Sequence, residues 1–435
     1  MSLATLREHA RRIQAAVLAA ADPGGAVTRS LAREDLSGRQ GRLFLVAVGK
    51  AGAGMMRAAL DTIGAEPAAG IAVLPHGYPG LAPADPRVIE IAAGHPVPDQ
   101  GSITAAQAVT RLVDGMAKPD LCMLLLSGGG SSLLSLPHPP LTLADLVQTG
   151  HLLLASGADI AEVNTVRRHL SALSGGRLAE RCRGTILTLA VSDVIGDELH
   201  AIASGPTVAD PTTFADAAAV LERRRLMERV PGAVVTRIRE GAAGRLPDTP
   251  KAVAPRHRAA VIASGRAAVD AAAGAARAAG FTPRILTDRL SGEARDAGRF
   301  LACEALAARA DTRALPACLI AAGETTVTVR GSGKGGRNQE IALAAALELA
   351  GTPGILLTSF ATDGKEGNTD AAGAFASSET IARGKAAGLD PGACLAANDS
   401  NAFLAAAGEL IVTGPTGTNV NDISFILVEK GAGRG

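Results

Sequence analysis

Tryptophan is absent from this chain, tyrosine occurs once and phenylalanine eight times in 435 residues. The stacking platforms that single-stranded nucleic acid uses are therefore missing, and the core must be aliphatic. Charge of one sign is not in excess either, with Lys+Arg 43 against Asp+Glu 42 and a formal net charge of +1. Such a balance announces no nucleic-acid and no membrane partner. The five cysteines, Cys122, Cys182, Cys303, Cys318 and Cys394, form neither a CxxC pair nor a Cys/His cluster at zinc-ligand spacing, so they read as reduced, small apolar residues. No apolar run reaches the roughly 18 residues of a membrane span. Lysine is scarce as well: only seven of the 43 basic residues are lysines, which gives weight to any lysine at a strand end.

At the N-terminus, Arg7, Arg11 and Arg12 around a short apolar stretch superficially imitate a signal peptide. Glu8 and Gln14 interrupt that pattern, and Leu3, Leu6, Ala10, Ile13 and Val17 make a helical stripe instead. The expectation is a cytoplasmic, unexported protein.

What is present is an aliphatic chain, 47% hydrophobic, too long for one ordinary core and expected to hold two domains. Apolar runs at 43–48, 70–74, 88–91, 121–126 and 185–191 alternate with helical stretches, which predicts a doubly wound parallel sheet over residues 1–245. The Pro- and Gly-rich stretch 231–255 reads as the boundary. A smaller α/β domain is expected over 255–435, with strands at 259–263, 283–287, 317–321, 325–330, 354–360, 409–412 and 424–428. The alternation of TTVTVR at 325–330 predicts an antiparallel partner and hence a mixed sheet.

Ligands of open α/β sheets gather beyond the carboxyl ends of the strands, and the loops there are rich in chemistry. After 121–126 come Ser127, Gly128, Gly129, Gly130, Ser131 and Ser132, three residues without Cβ flanked by hydroxyl donors, which suit phosphate oxygens as well as they suit a tight turn. After 43–48 comes Gly49-Lys50-Ala51-Gly52, where Lys50 can neutralise an anion or simply be solvated. His95 in GHPVPD is assigned no role. After 185–191 stand Asp193, Asp197 and Glu198; Mg²⁺ takes one or two such carboxylates plus waters and phosphates, and helix capping is the plainer reading of the last two. In the second half, GSGKGG at 331–336 matches G-x-G-x-x-G by spacing and leads into Arg337 and Asn338. The strand at 354–360 ends in Asp363, followed by Glu366, Asn368 and Asp370, which resembles a metal or hydroxyl site more than a ribose acid.

Together, VAVGKAG at 46–52, GHPVPD at 94–99, LLLSGGGSSL at 124–133, VSDVIGDELHAIASGPTVADPTTF at 191–214, GETTVTVRGSGKGGRNQE at 323–340 and ATDGKEGNTDAAGA at 361–374 resemble the glycerate 2-kinase family, also labelled hydroxypyruvate reductase. The resemblance implies a Rossmann-like N-terminal domain, a smaller mixed-sheet MOFRL-like domain, and an active site in the cleft between them. It implies ATP- and Mg²⁺-dependent phosphorylation of D-glycerate to 2-phosphoglycerate, with a homodimer left open. By motif, the catalytic lysine falls on Lys50 and the arginine on Arg337.

On this reading the 127–132 loop holds ATP, Asp193 and Asp363 hold Mg²⁺, and Asp193 or Asp197 takes the hydroxyl proton. Lys50, Arg337 and Asn338 meet the substrate. The competing readings are an NAD(P)H-dependent hydroxypyruvate reductase, which lacks the ribose acid, and a non-enzymatic binder of small anions, which leaves the carboxylate loops without work.

Overall fold

The computed structural model describes residues 2–36, 40–194, 196–311 and 315–430. Ile195, in the loop that follows Asp193, lies outside the described residues. The chain groups into two compact units: Pro23–Ile262, and a split unit of Met1–Asp22 with Ala263–Gly435.

In the Pro23–Ile262 unit, β1 (Leu43–Val48), β2 (Pro67–Pro75), β3 (Val88–Ala93), β4 (Leu121–Leu126), β5 (Thr185–Val191) and β6 (Arg258–Ala263) form one sheet in the order β3-β2-β1-β4-β5-β6. The β1–β2, β2–β3, β1–β4 and β4–β5 pairs are parallel. The apolar runs of β1, β4 and β5 are buried almost end to end, as central parallel strands covered on both faces must be. The helix Gln100–Asp114 starts from a capping box in which Asp99 accepts from Ser102 N and the Ser102 hydroxyl reaches back to Asp99 N.

Beside the sheet lies a second apolar cluster. It joins the helices Leu143–Ala155, Ile160–Leu170, Phe214–Arg223 and Gly232–Ala242 through Leu153, Val163, Leu170, Phe214, Val234 and Ile238.

Two boundary expectations therefore change. Residues 231–255 are no linker, since Gly232–Ala242 is a helix whose Val234 and Ile238 are fully buried. The strand expected to open the second domain is instead β6, the sixth strand of the first sheet, so a cut at 245 would strip that sheet of an edge. The helix Leu3–Ala21 also changes sides. Its stripe Leu6, Ala10, Ile13 and Val17 is buried as expected, but it packs on the helix Gly265–Ala278 of the split unit.

The split unit carries β7 (Thr282–Leu290), β8 (Ala317–Gly323), β9 (Ile355–Ala361), β10 (Gly373–Ser377), β11 (Leu410–Ile411) and β12 (Asp422–Val428), in the order β11-β10-β9-β12-β8-β7. β7 and β8 are parallel and the remaining pairs antiparallel, so the sheet is mixed. The antiparallel strand is not TTVTVR, however. Residues 325–330 make a single parallel bridge, Thr326 with Glu293, because Thr328 N donates to the Glu293 carboxylate where a strand partner would have offered a carbonyl. β10, with the sequence GAFAS, was not expected; its glycine and alanines carry little strand propensity, and burial in mid-sheet decides its conformation. Among the described residues no helix is long and apolar enough to cross a membrane.

Candidate active site

In the Pro23–Ile262 sheet the strand order reverses between β1 and β4, and the loops that leave those two strands lie side by side. Lys50 N donates to Gly128 O at 3.0 Å and Ala51 N to Ser127 Oγ at 3.1 Å. The approach demands glycine. Gly49 has φ +128°, and a Cβ there would stand 2.2 Å from Ser127 Oγ and 2.6 Å from its carbonyl oxygen. Gly129 has φ +94°, and a Cβ there would meet the His95 ring at 3.2 Å. Only residues without a side chain adopt both conformations cheaply.

Around this pair of loops the structure gathers further groups. The Asp193 carboxylate lies so close that a Cβ on Gly128 would be 2.6 Å from its Oδ2. His95 Nδ1 is 3.0 Å from Ser132 Oγ, and its pKa sits below the ordinary value because burial and then the Lys50 charge disfavour the imidazolium. Lys50 itself is exposed. Ser131 Oγ lies 2.8 Å from Ser204 Oγ. Ala203 and Ser204 both have positive φ, +49° and +59°, a conformation that costs non-glycine residues free energy and concentrates at functional turns. Lys50, Asp193 and the residues Ser127, Gly128, Gly129, Gly130, Ser131 and Ser132 are thus neighbours. His95 and Ser204, which had no assigned role, belong with them; the sequence signal for Ser204 was only its place in the SGP turn after the carboxylate loop.

In the split unit, Arg337 opens the helix Arg337–Leu349 with its guanidinium between two carboxylates. Nε lies 3.0 Å from Asp422 Oδ2 and Nη2 donates to Asp422 Oδ1 at 3.1 Å, while Nη1 donates to Glu324. Burial works against the arginine's charge, but Asp422 and Glu324 more than offset it and raise its pKa. Burial pushes Asp422 up to about 6, with Arg337 opposing. Neither carboxylate was singled out from the sequence, because no local spacing links positions 324, 337 and 422.

Asn338 takes an internal role where substrate contact was expected. It is fully buried, its Nδ2 donates to Glu366 at 3.1 Å and its Oδ1 accepts from Ser359 Oγ at 2.6 Å. Glu366 also accepts from Asn338 N at 2.7 Å and Gln339 N at 2.9 Å, so it caps the helix that carries Arg337; burial pushes its pKa up to about 7. Asn368 accepts from Gly335 N at 3.0 Å, which ties the GSGKGG segment down. Asp363 is exposed, its Oδ1 accepting from Lys365 N at 3.1 Å, and Asp370 pairs with Lys365. Gly333, Gly335, Arg337, Asp363 and Glu366 help to line a cavity of about 560 Å³.

Residues 9–239 match the family described as a domain of unknown function (DUF4147), and residues 317–422 match the MOFRL family. A glycerate 2-kinase of Pyrococcus horikoshii is 40% identical over 99% of this chain and 99% of its own length. The crystal structure of a glycerate kinase from Thermotoga maritima superposes with a TM-score of 0.90 at 41% identity, covering 97% of this chain and 99% of that one. The chain belongs to the glycerate 2-kinase family. An Agrobacterium vitis relative, 44% identical over 97% of this chain and 94% of its own, carries only a provisional hydroxypyruvate reductase name.

For a glycerate 2-kinase family member, the donor set can be tested against Mg²⁺. Among the described residues no three His, Cys, Asp or Glu side chains converge on one point. Mg²⁺ does not require them, since one or two carboxylates with waters and substrate phosphates suffice. Asp193, against the glycine loop, fits that pattern. Asp363 belongs to the other unit.

Proposed function

We propose that this chain transfers the γ-phosphoryl group of ATP to the 2-hydroxyl of D-glycerate, giving 2-phosphoglycerate. The observation that carries the reading is the approach of the Lys50 turn to the glycine loop at the reversal of the strand order, a cradle with a lysine at its edge and no Cβ over Gly128, Gly129 and Gly130, in which oxyanions can settle. Backbone N–H groups and the Ser127, Ser131 and Ser132 hydroxyls hold the ATP phosphates. Asp193 is the carboxylate suited to Mg²⁺, with Asp363 as a second; the cation, when bound, neutralises phosphoryl charge. Lys50 and Arg337 stabilise charge on the group in transfer or hold the glycerate carboxylate. The hydroxyl proton goes to Asp193 or Asp197. Phosphoryl transfer asks mainly for alignment and charge neutralisation, and these groups supply both. The five free cysteines suit a cytoplasmic setting.

The reductase reading loses its structural context, because a dinucleotide fingerprint needs a strand before its glycines and residues 327–336 form none. The deciding assay gives the purified protein D-glycerate with Mg-ATP and follows ADP release, beside hydroxypyruvate with NADH or NADPH. Turnover is expected only in the first, with NMR of the product showing phosphate on the 2-hydroxyl. Oxidation of NADH or NADPH without ADP release would reverse the conclusion.

A further inference from the structure

Beside the β4 loop, within the Pro23–Ile262 unit, a cavity of about 110 Å³ is lined by Ser131 and Ser132 on one side and Arg167 on another, with apolar walls that include Pro96, Leu154 and Val163. Arg167 lies on the helix Ile160–Leu170, where the other charged side chains have counter-ions: Arg168 Nε is 2.9 Å from Asp210 Oδ1, and Glu162 pairs with Arg223 and Arg224. Arg167 is different. Its Nη1 donates to the neutral Asn164 Oδ1 at 3.4 Å, and among the described residues it has no carboxylate partner. Burial alone lowers its pKa, and no acidic neighbour opposes that. A partly buried cation without a counter-ion carries an uncompensated desolvation cost, which makes it a ready site for an incoming anion.

The arginine is also wired to the phosphate loop. Asn164 Oδ1 accepts from Ser204 Oγ at 3.4 Å, and Ser204 Oγ lies 2.8 Å from Ser131 Oγ. The cavity is well below the 300–1,000 Å³ of typical sites for larger ligands, so it suits an acid of a few carbons and not a nucleotide.

We propose that Arg167 binds the carboxylate of the acceptor hydroxy acid in this cavity, leaving Lys50 to the phosphoryl group. The inference rests on the kinase reading above and deepens it. The planar fork meets both carboxylate oxygens, the apolar walls lower the local dielectric beside the pair, and the far end of a short acid reaches toward the glycine loop. The enzyme then selects acids over neutral polyols at this residue, because a neutral acceptor leaves the cation unpaired.

The test is steady-state kinetics of the wild-type enzyme, Arg167→Met and Arg167→Gln with D-glycerate and with its neutral amide as acceptors, beside calorimetric titration with D-glycerate. Arg167→Gln keeps a donor for Asn164 and serves if the methionine variant does not fold. Either substitution is expected to raise the KM for D-glycerate about 20-fold or more, the scale of a lost charge-assisted hydrogen bond. The KM for ATP should stay within about twofold, and the preference for the acid over the amide should disappear. An unchanged KM for D-glycerate overturns the inference, and so does an equal loss of ATP affinity, which would make Arg167 a phosphate ligand. Wild-type protein that binds D-glycerate through Arg167 yet never consumes ATP would overturn the kinase reading and keep this site. Active enzyme whose glycerate affinity ignores Arg167 would do the reverse, and protein showing neither heat nor turnover would overturn both.

Discussion

Arg337 Nε and Asp422 Oδ2 lie 3.0 Å apart, with the aspartate pushed up to about 6 by burial and the arginine still held above its ordinary pKa. All three nitrogens of the fork are engaged, Nε and Nη2 with one carboxylate and Nη1 with Glu324. A lysine keeps the charge and loses this geometry. Arg337→Lys should therefore lower kcat/KM for glycerate more than about tenfold, roughly 1.4 kcal/mol of transition-state stabilisation. Wild-type kinetics in that variant would remove this arginine from the reaction.

Lys50 is exposed, so its side chain contributes charge and little packing. Lys50→Ala should leave the melting temperature within about 2 °C while kcat falls about a hundredfold or more, the scale seen when one donor to developing negative charge is lost. A stable variant with near-normal turnover would contradict the proposed role.

Gly129 combines φ +94° with the His95 ring 3.2 Å from any added Cβ. Gly129→Val should weaken ATP binding at least about tenfold, because a β-branched residue resists that backbone conformation and fills the space phosphate needs. Fluorescent-nucleotide titration reads the effect. Normal affinity would reduce the loop to a turn.

Glu366 gives a pH signature. Its folded pKa, pushed up to about 7 by burial, exceeds its ordinary 4.5, so the folded state binds the proton more tightly than the unfolded one. The associated stability is complete below about 4.5 and is lost as pH rises through 7, on the order of 3 kcal/mol in all. Glu366→Gln cannot titrate. Chemical denaturation from pH 5 to 8 should show this downward slope in the wild type and a flatter profile in the variant, and identical slopes would rule the assignment out.

The strands 43–48, 121–126 and 185–191 were legible in the sequence because short apolar runs bounded by Gly, Pro, Ser and Asp admit one economical fate, burial in a parallel sheet. The loops that leave them were legible for the same reason: strand ends followed by Gly-Lys-Ala-Gly or Ser-Gly-Gly-Gly-Ser-Ser can hardly be anything but tight, polar turns. Which strands become neighbours was not. β6 joins the first sheet through β5, a contact some 70 residues away in sequence, and TTVTVR alternates like a strand yet makes only a single bridge, its other backbone groups going to side chains such as Glu293 and Asn398. Side-chain roles divide similarly. Lys50 announced itself by its turn, whereas the pairing of Arg337 with Glu324 and Asp422, the internal duty of Asn338 and the missing counter-ion of Arg167 are facts of proximity. Local pattern sets what a segment can be through propensity and periodicity; which charges meet, and which are left unpaired, is decided only when the packed chain brings distant residues within bonding distance.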